Sequence, residues 1–226
     1  MRNCPSCGTK EKDLVISGYN GVSVINAGYA PELDLYKCNE CGMHYVDGAI
    51  CSQEFFDNYY MTKYRTDDAP YSDARLFSLA ECVKKYRGDN RSFRVLDIGG
   101  MDGELAQRIN SIGLLCLITG VGLDHLDVKD NDGVILSHTL EHIYDIPAMF
   151  ARIKRALKPG GLLFIEVPIW FDYSDLTYDN HWQHINKFRS KDLDSIFGEF
   201  DFEILESLRL PSYREYDVWR IVGRML

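Results

Sequence analysis

No apolar run in the 226 residues approaches the roughly 20 that a membrane-spanning helix needs, so no helical bilayer crossing is expected. The opening Met1-Arg2-Asn3-Cys4 lacks the apolar stretch of a secretory leader, and a cytoplasmic location is the expectation. Positive charge is also scarce: 25 lysines and arginines face 34 aspartates and glutamates, a formal net charge of −9. Such a chain repels nucleic acid and anionic membrane unless it gathers a local basic patch. The densest basic stretches, Arg152-Ile153-Lys154-Arg155 and Lys84-Lys85-Tyr86-Arg87, fall on predicted helices, where a solvated outer face accounts for them. Internal repeats and low-complexity segments are lacking too.

Cysteine is the residue whose placement stands out. Of seven, Cys51, Cys82 and Cys116 stand alone, while the others form two C-x-x-C pairs, Cys4-Pro5-Ser6-Cys7-Gly8 and Cys38-Asn39-Glu40-Cys41-Gly42. An odd count without a leader argues for reduced thiols and metal ligation over a disulfide framework. C-x-x-C lets a tight turn aim two thiolates at one ion, and the glycine that follows can take a positive φ, freeing backbone N–H groups to face the sulfur charge. Two such knuckles supply the four soft ligands that tetrahedral zinc prefers. Structural zinc on Cys4, Cys7, Cys38 and Cys41 is expected; a redox dithiol or an iron–sulfur centre fits paired glycine knuckles less well. His44 lies close by, but four thiolates already close the site.

The chain divides into three stretches. Residues 1–48 form a zinc-ribbon module with small strands at Leu14-Val15-Ile16 and Val22-Ser23-Val24-Ile25. Residues 49–90 form a helical linker or lid, with an aromatic stripe of Phe55, Phe56, Tyr59 and Tyr60, then a helix burying Leu76, Leu79, Ala80 and Val83. Residues 91–226 alternate strand and helix. Strands are predicted at 93–98, 114–121, 133–137, 162–167, 202–208 and 217–222. Helices are predicted from Glu104, around Ile146 to Leu157 with Lys158-Pro159-Gly160-Gly161 closing it, and after a capping Ser190. The expected fold is α/β, a doubly wound, mainly parallel Rossmann-like sheet with helices on both faces beside the small ribbon.

At the end of its first strand this domain carries Val95-Leu96-Asp97-Ile98-Gly99-Gly100-Met101-Asp102-Gly103. A glycine turn between strand and helix lets backbone approach a ligand, and the helix N-terminus favours a carboxylate or phosphate. By itself the loop leaves several nucleotide-binding folds open. It resembles motif I of class I S-adenosylmethionine-dependent methyltransferases, and is similar to the variant found in zinc-bearing sugar C-methyltransferases. Three further segments carry the same resemblance in order: Ser137-His138-Thr139-Leu140-Glu141-His142-Ile143; Leu157-Lys158-Pro159-Gly160-Gly161 with Glu166-Val167-Pro168; and His181-Trp182-Gln183-His184-Ile185-Asn186-Lys187-Phe188.

The resemblance implies S-adenosylmethionine as cofactor, with zinc as a structural ion. It places the cofactor's methionine end on Gly99, Gly100 and Gly103, with Asp97 ordering the turn and Asp102 near the amine. His138 and His142 are expected to shape the cofactor wall. The family places an acidic residue at the end of the second strand to grip the ribose, yet Thr119-Gly120-Val121-Gly122 puts glycine there; Asp124 or Asp127 is left to substitute. Only about a dozen residues precede the next strand, so the sheet is expected to be shortened by a strand and a helix on that side. His184, aligned with the family's histidine, and His181 are the expected bases for the acceptor's proton. Tyr178, with Tyr173 and Trp182, would wall the acceptor. The implied acceptor is a sugar, nucleotide-sugar or glycan hydroxyl or carbon, with neither membrane nor nucleic acid as partner. Two alternatives stand beside it: a degenerate fold whose ribbon docks a partner, and an RNA methyltransferase, which the acidic charge opposes.

Overall fold

Strand and helix alternate after residue 72 and build one six-stranded sheet, while short N-terminal strands contribute to a second sheet of four. The computed structural model describes residues 2–18, 33–48, 52, 54, 73–100, 103–119, 128–169, 184–210 and 217–226. In chain order these give β1 (Lys12–Ile16), β2 (Asp34–Cys38), β3 (His44–Asp47), α1 (Asp73–Arg87), β4 (Arg94–Ile98), α2 (Glu104–Ser111) and β5 (Leu115–Thr119). There follow β6 (Asn131–Ser137), a 3-10 turn (Leu140–His142), α3 (Ile146–Ala156), β7 (Leu157–Pro168), β8 (Asn186–Lys187), α4 (Ser190–Glu199), β9 (Phe202–Leu210) and β10 (Val218–Met225). Among the described residues no helix is long and apolar enough to cross a membrane.

The large sheet runs β5-β4-β6-β7-β10-β9. β5, β4, β6 and β7 are parallel, whereas β10 is antiparallel to both β7 and β9. The antiparallel pair departs from a wholly parallel winding because only seven residues separate β9 from β10, too few for a crossover helix. Alternation sorts the strand side chains into two cores. Leu96, Ile98, Leu163, Ile165 and Val167 face α3 and α4, while Val95, Leu162 and Phe164 face α1 and α2. Helices therefore cover both faces, and α1 buries Leu76, Leu79, Ala80 and Val83 at helical spacing. At the other edge, β5 is outermost among the described residues, with Leu115 and Ile118 about half exposed.

Two local expectations shift. Lys158-Pro159-Gly160-Gly161 was expected to close a helix as a loop; instead α3 stops at Ala156 and these residues open the long strand β7. The register jumps there, from Asn131 opposite Leu157 to Gly133 opposite Leu162, and this irregularity absorbs the proline and glycines. Ser190 was expected to cap α4, but it is the first helical residue. The cap is Arg189, whose backbone N–H and guanidinium both donate to Asp192, at 2.8 Å for the N–H.

The small sheet has the order β1-β2-β3-β8, so its last strand comes from the other end of the chain. His44 lies opposite Lys187 and Tyr45 opposite Asn186, and Val46 N donates to Ile185 O at 2.8 Å. Cys4, Cys38, Met43 and Tyr45 join the core under α3 and α4. Asp47, wholly buried, anchors the seam: its carboxylate accepts from Arg2 N, Lys12 Nζ and Tyr144 Oη at 2.9, 2.8 and 3.1 Å. Burial pushes this carboxyl up, but the Lys12 ammonium and the surrounding N–H donors outweigh it and hold the group below its ordinary value. A lowered carboxyl stabilises the fold above the unfolded-state value and loses that contribution as pH falls through it. Asp47→Ala should therefore lower the unfolding free energy by about 3 kcal/mol at neutral pH, and urea titrations should show the deficit shrinking below about pH 4.

Candidate functional site

The turn after β4 requires glycine at three of its positions. Gly99 and Gly103 both sit at φ +82, and a Cβ on Gly99 would lie 2.6 Å from Thr139 Oγ1. One on Gly103 would meet Ile118 Cδ1 at 2.6 Å, and one on Gly100 would strike the Asp97 carboxylate. Gly103 N donates to Gly100 O at 2.8 Å, closing the turn directly before α2. Thr139 ties the neighbouring strand end to it, its hydroxyl donating to Ile98 O at 3.2 Å. A side chain on Gly99 would thus meet Thr139.

Beside the turn opens a small cleft, lined by Arg75, Asp97, Gly99, Gly100, Glu104 and Ser137 together with Leu76 and Leu105. Asp97 is almost wholly buried, and its Oδ2 has no hydrogen-bond partner among the described residues. Burial pushes its carboxyl up to about 7 against the pull of the Arg75 guanidinium. Beneath the cleft, Arg75 donates to Ser137 Oγ at 3.0 Å and stands 3.6 Å from Glu166 Oε2. Glu166, fully buried, accepts from Arg220 Nε at 2.7 Å, and Arg220 in turn reaches Ser78 Oγ at 3.1 Å. This network fixes α1 to the ends of β6, β7 and β10.

The expected cofactor residues Asp97, Gly99 and Gly100 line the cleft, and Gly103 caps α2 at its rim. Asp102, Asp124 and Asp127 lie outside the described residues, as do His181, Tyr178, Tyr173 and Trp182. His138 directly follows the lining residue Ser137, in a left-handed conformation at φ 51, with Nδ1 3.6 Å from Glu141 Oε1. His184 is buried edge-on against His142, ring centroids 4.8 Å apart at 60°. The acceptor-side and cofactor-wall histidines, placed apart by sequence, thus form one cluster with Glu141. Sequence reading missed Arg75, Glu104, Glu166 and Arg220. Arg220 and Glu166 are cross-strand partners, a relation that exists only once the β7–β10 register is known.

The four cysteines converge. All four sulfurs lie within 4.8 Å of one another, with Cys4 to Cys41 at 3.6 Å and Cys7 to Cys38 at 3.5 Å. A tetrahedral ion with bonds of about 2.3 Å needs sulfurs about 3.8 Å apart, so the spacing suits zinc. Gly8 and Gly42 take positive φ as the knuckles require, and Cys41 N donates to Cys38 Sγ at 3.4 Å. The hydrogen bond shared by Cys4 and Cys41 pushes the Cys4 thiol up and pulls Cys41 down to about 5. Cys41 O accepts from Arg189 Nη2 at 2.9 Å, another tie to the large domain. His44 stays outside the thiol set; burial, then the Lys37 and Arg189 charges, lower it to about 4.

Residues 69–207 match the family model described as a methyltransferase domain, a span of more than half the chain. Among solved structures, the chain resembles Burkholderia thailandensis 1,6-didemethyltoxoflavin-N1-methyltransferase with bound 1,6-didemethyltoxoflavin and S-adenosylhomocysteine. The TM-score is 0.64 at 17% identity, over 90% of this chain and 98% of that one. Haemonchus contortus phosphoethanolamine N-methyltransferase 2 in complex with S-adenosyl-L-methionine follows at 0.58 and 15% identity, over 78% of this chain and 60% of that one. The [4+2]-cyclase SpnF scores 0.57 at 14% identity, over 71% and 85%. No curated protein is significantly similar in sequence.

The glycine turn can be tested by contrast. Gly99→Ala combines a positive φ with a collision against Thr139, whereas Gly8→Ala has a positive φ in open space. The first should cost about 2 kcal/mol or more and the second about 1 kcal/mol, read from denaturant unfolding midpoints.

Proposed function

The chain belongs to the methyltransferase-domain family, and on that premise we propose that it moves a methyl group to a hydroxyl or carbon of a sugar, nucleotide-sugar or glycan. That it is an S-adenosylmethionine-dependent methyltransferase follows from the family; the acceptor class is our inference. The observation that carries the cofactor assignment is Asp97: a buried carboxylate whose Oδ2 has no hydrogen-bond partner among the described residues, beside a glycine-rich turn, suits a ligand that brings a cation. Bound there, the cofactor supplies a methyl group on a positively charged sulfur. Gly99, Gly100 and Gly103 would let the backbone approach the ligand, Asp97 would order the turn and meet the ligand's positive end, and Asp102 would serve the amine. His138 would shape the wall, with Asp124 or Asp127 left to substitute for the missing ribose acid. Arg75, held by Ser137 and Glu166, sets the floor on which Asp97 rests.

Methyl transfer is an in-line displacement, so holding the acceptor at the correct angle supplies much of the rate. A hydroxyl or carbon acceptor also gives up a proton, and the cluster built around His184 is where we place that loss, with His181 beside it and Tyr178 walling the acceptor. The toxoflavin-precursor methyltransferase, which holds a small acceptor beside its cofactor product in the same fold, supports a small-molecule acceptor. The sugar class rests on the cysteine knuckles and the segment around His184, whose pattern resembles sugar C-methyltransferases. SpnF, a cyclase in name, marks how little the fold alone fixes about the reaction.

The four-thiol cluster we assign as a structural zinc site on Cys4, Cys7, Cys38 and Cys41, with the spacing given above as support. Metal analysis of the purified chain should return about one zinc, and Cys38→Ser should remove it and undock the small sheet, exposing apolar surface to a hydrophobic dye. For the cofactor, calorimetric affinity for S-adenosylmethionine should rise between about pH 6 and 8. The raised Asp97 carboxyl, near 7, must lose its proton to meet a cation. Asp97→Asn should weaken binding at least about tenfold and abolish that pH dependence. An absence of binding at millimolar cofactor would instead leave a binding module.

A further inference from the structure

We propose that Glu141, His142 and His184 form a second metal site, one for a divalent ion of the manganese or iron(II) kind, with positions left open for an acceptor oxygen. Their three ligand atoms lie within 4.8 Å of one another, although they come from two separate segments, the 3-10 turn and the stretch entering β8. The carboxylate of Glu141 is fully buried, with His138 Nδ1 at 3.6 Å and His142 Nε2 at 3.9 Å. An ion with bonds of about 2.1 Å spaces its ligand atoms from about 3 to about 4.2 Å apart, so small side-chain rotations close the set. One carboxylate with two imidazoles is a donor set for first-row divalent metals and leaves coordination positions free, unlike the four thiolates.

The scaffold holds these side chains from both sides. Asn186 Nδ2 donates to Leu140 O at 3.0 Å and to Ile143 O at 2.8 Å, locking the turn that carries Glu141 and His142 onto β8. Val46 N holds Ile185 O, next to His184, at 2.8 Å. Such fixed supports are what a metal site needs to keep its geometry. The left-handed backbone of His138, at φ 51, is a strained conformation that brings a further imidazole to the carboxylate. The turn begins three residues beyond Ser137, which lines the cleft.

The chemical consequence rests on the methyltransferase reading above. An ion at this position lowers the pKa of an acceptor hydroxyl and holds its oxygen toward the methyl group. The hydroxyl proton leaves to water, the carbon–oxygen bond forms, and the methyl–sulfur bond breaks with its electron pair remaining on sulfur. His184 then serves as a ligand, and the acceptor is an oxygen nucleophile.

Manganese itself is the probe, because thiolates bind it poorly and the cysteine cluster keeps its zinc. Titration of the full zinc-loaded chain with Mn²⁺, followed by electron paramagnetic resonance, should show about one bound ion per chain. Glu141→Gln and His184→Asn should each weaken it at least about tenfold, with zinc content and S-adenosylmethionine affinity little changed. If Glu141→Gln fails to fold, seen as lost zinc, His142→Gln and His184→Asn decide the matter. No manganese bound by the parent at millimolar concentration, or equal binding by the folded variants, overturns the proposal. Manganese binding without cofactor binding would uphold the site and sink the methyltransferase reading; the reverse would sink the site alone.

Discussion

Tyr45 pairs with Asn186 and His44 with Lys187, and on this short stretch of backbone pairing the rest of the molecule is arranged. It converts a three-stranded cysteine-bearing module into a four-stranded sheet that shares its core with α3 and α4. The short strands β1, β2 and β3 gain β8 as a fourth partner, and the four cysteine sulfurs converge beside them. Asp47, with Arg2, Lys12 and Tyr144, then seals the junction where backbone pairing ends.

The same pairing reaches into the cleft region. β8 follows directly on His184 and Ile185, so fixing β8 in the small sheet fixes His184 against His142. The cysteine module is therefore part of the scaffold around the histidine–glutamate cluster, although none of its cysteines is near that cluster in sequence. On the opposite side, buried Glu166 binds Arg220 and stands near Arg75, so α1 is held to the strand ends that form the cleft floor. An ion pair so deep stabilises little against an apolar core, but it constrains position, because a displaced partner would leave a buried charge unpaired. Asp97 is the contrasting case: its carboxyl is pushed up by burial against the pull of Arg75, and its Oδ2 has no hydrogen-bond partner among the described residues.

Much of this was legible in the chain before folding. The C-x-x-C-G knuckles, the glycine turn after β4 and the spacing of Leu76, Leu79, Ala80 and Val83 are local patterns. Their meaning depends on neighbours within a few residues, through φ, thiolate reach or helical period, and the described structure keeps all three. Where local reading slipped, the competing force was also identifiable. Lys158-Pro159-Gly160-Gly161 has loop composition, yet the pull of a central strand carried it into β7 and left only a register jump.

What the sequence alone determined, then, is the alternation of elements, the cysteine ligand set and the place of the glycine turn. Tertiary structure decided which distant residues meet. Arg220 faces Glu166 from 54 positions away because β10 runs antiparallel to β7 in one register, and a single-residue slip of β10 would turn Arg220 to the face opposite Glu166. His184 joins His142 and Glu141 because β8 enters the small sheet, a choice made by free strand edges and a shared core. Such meetings depend on the packing of the whole chain, and no window of sequence contains that information.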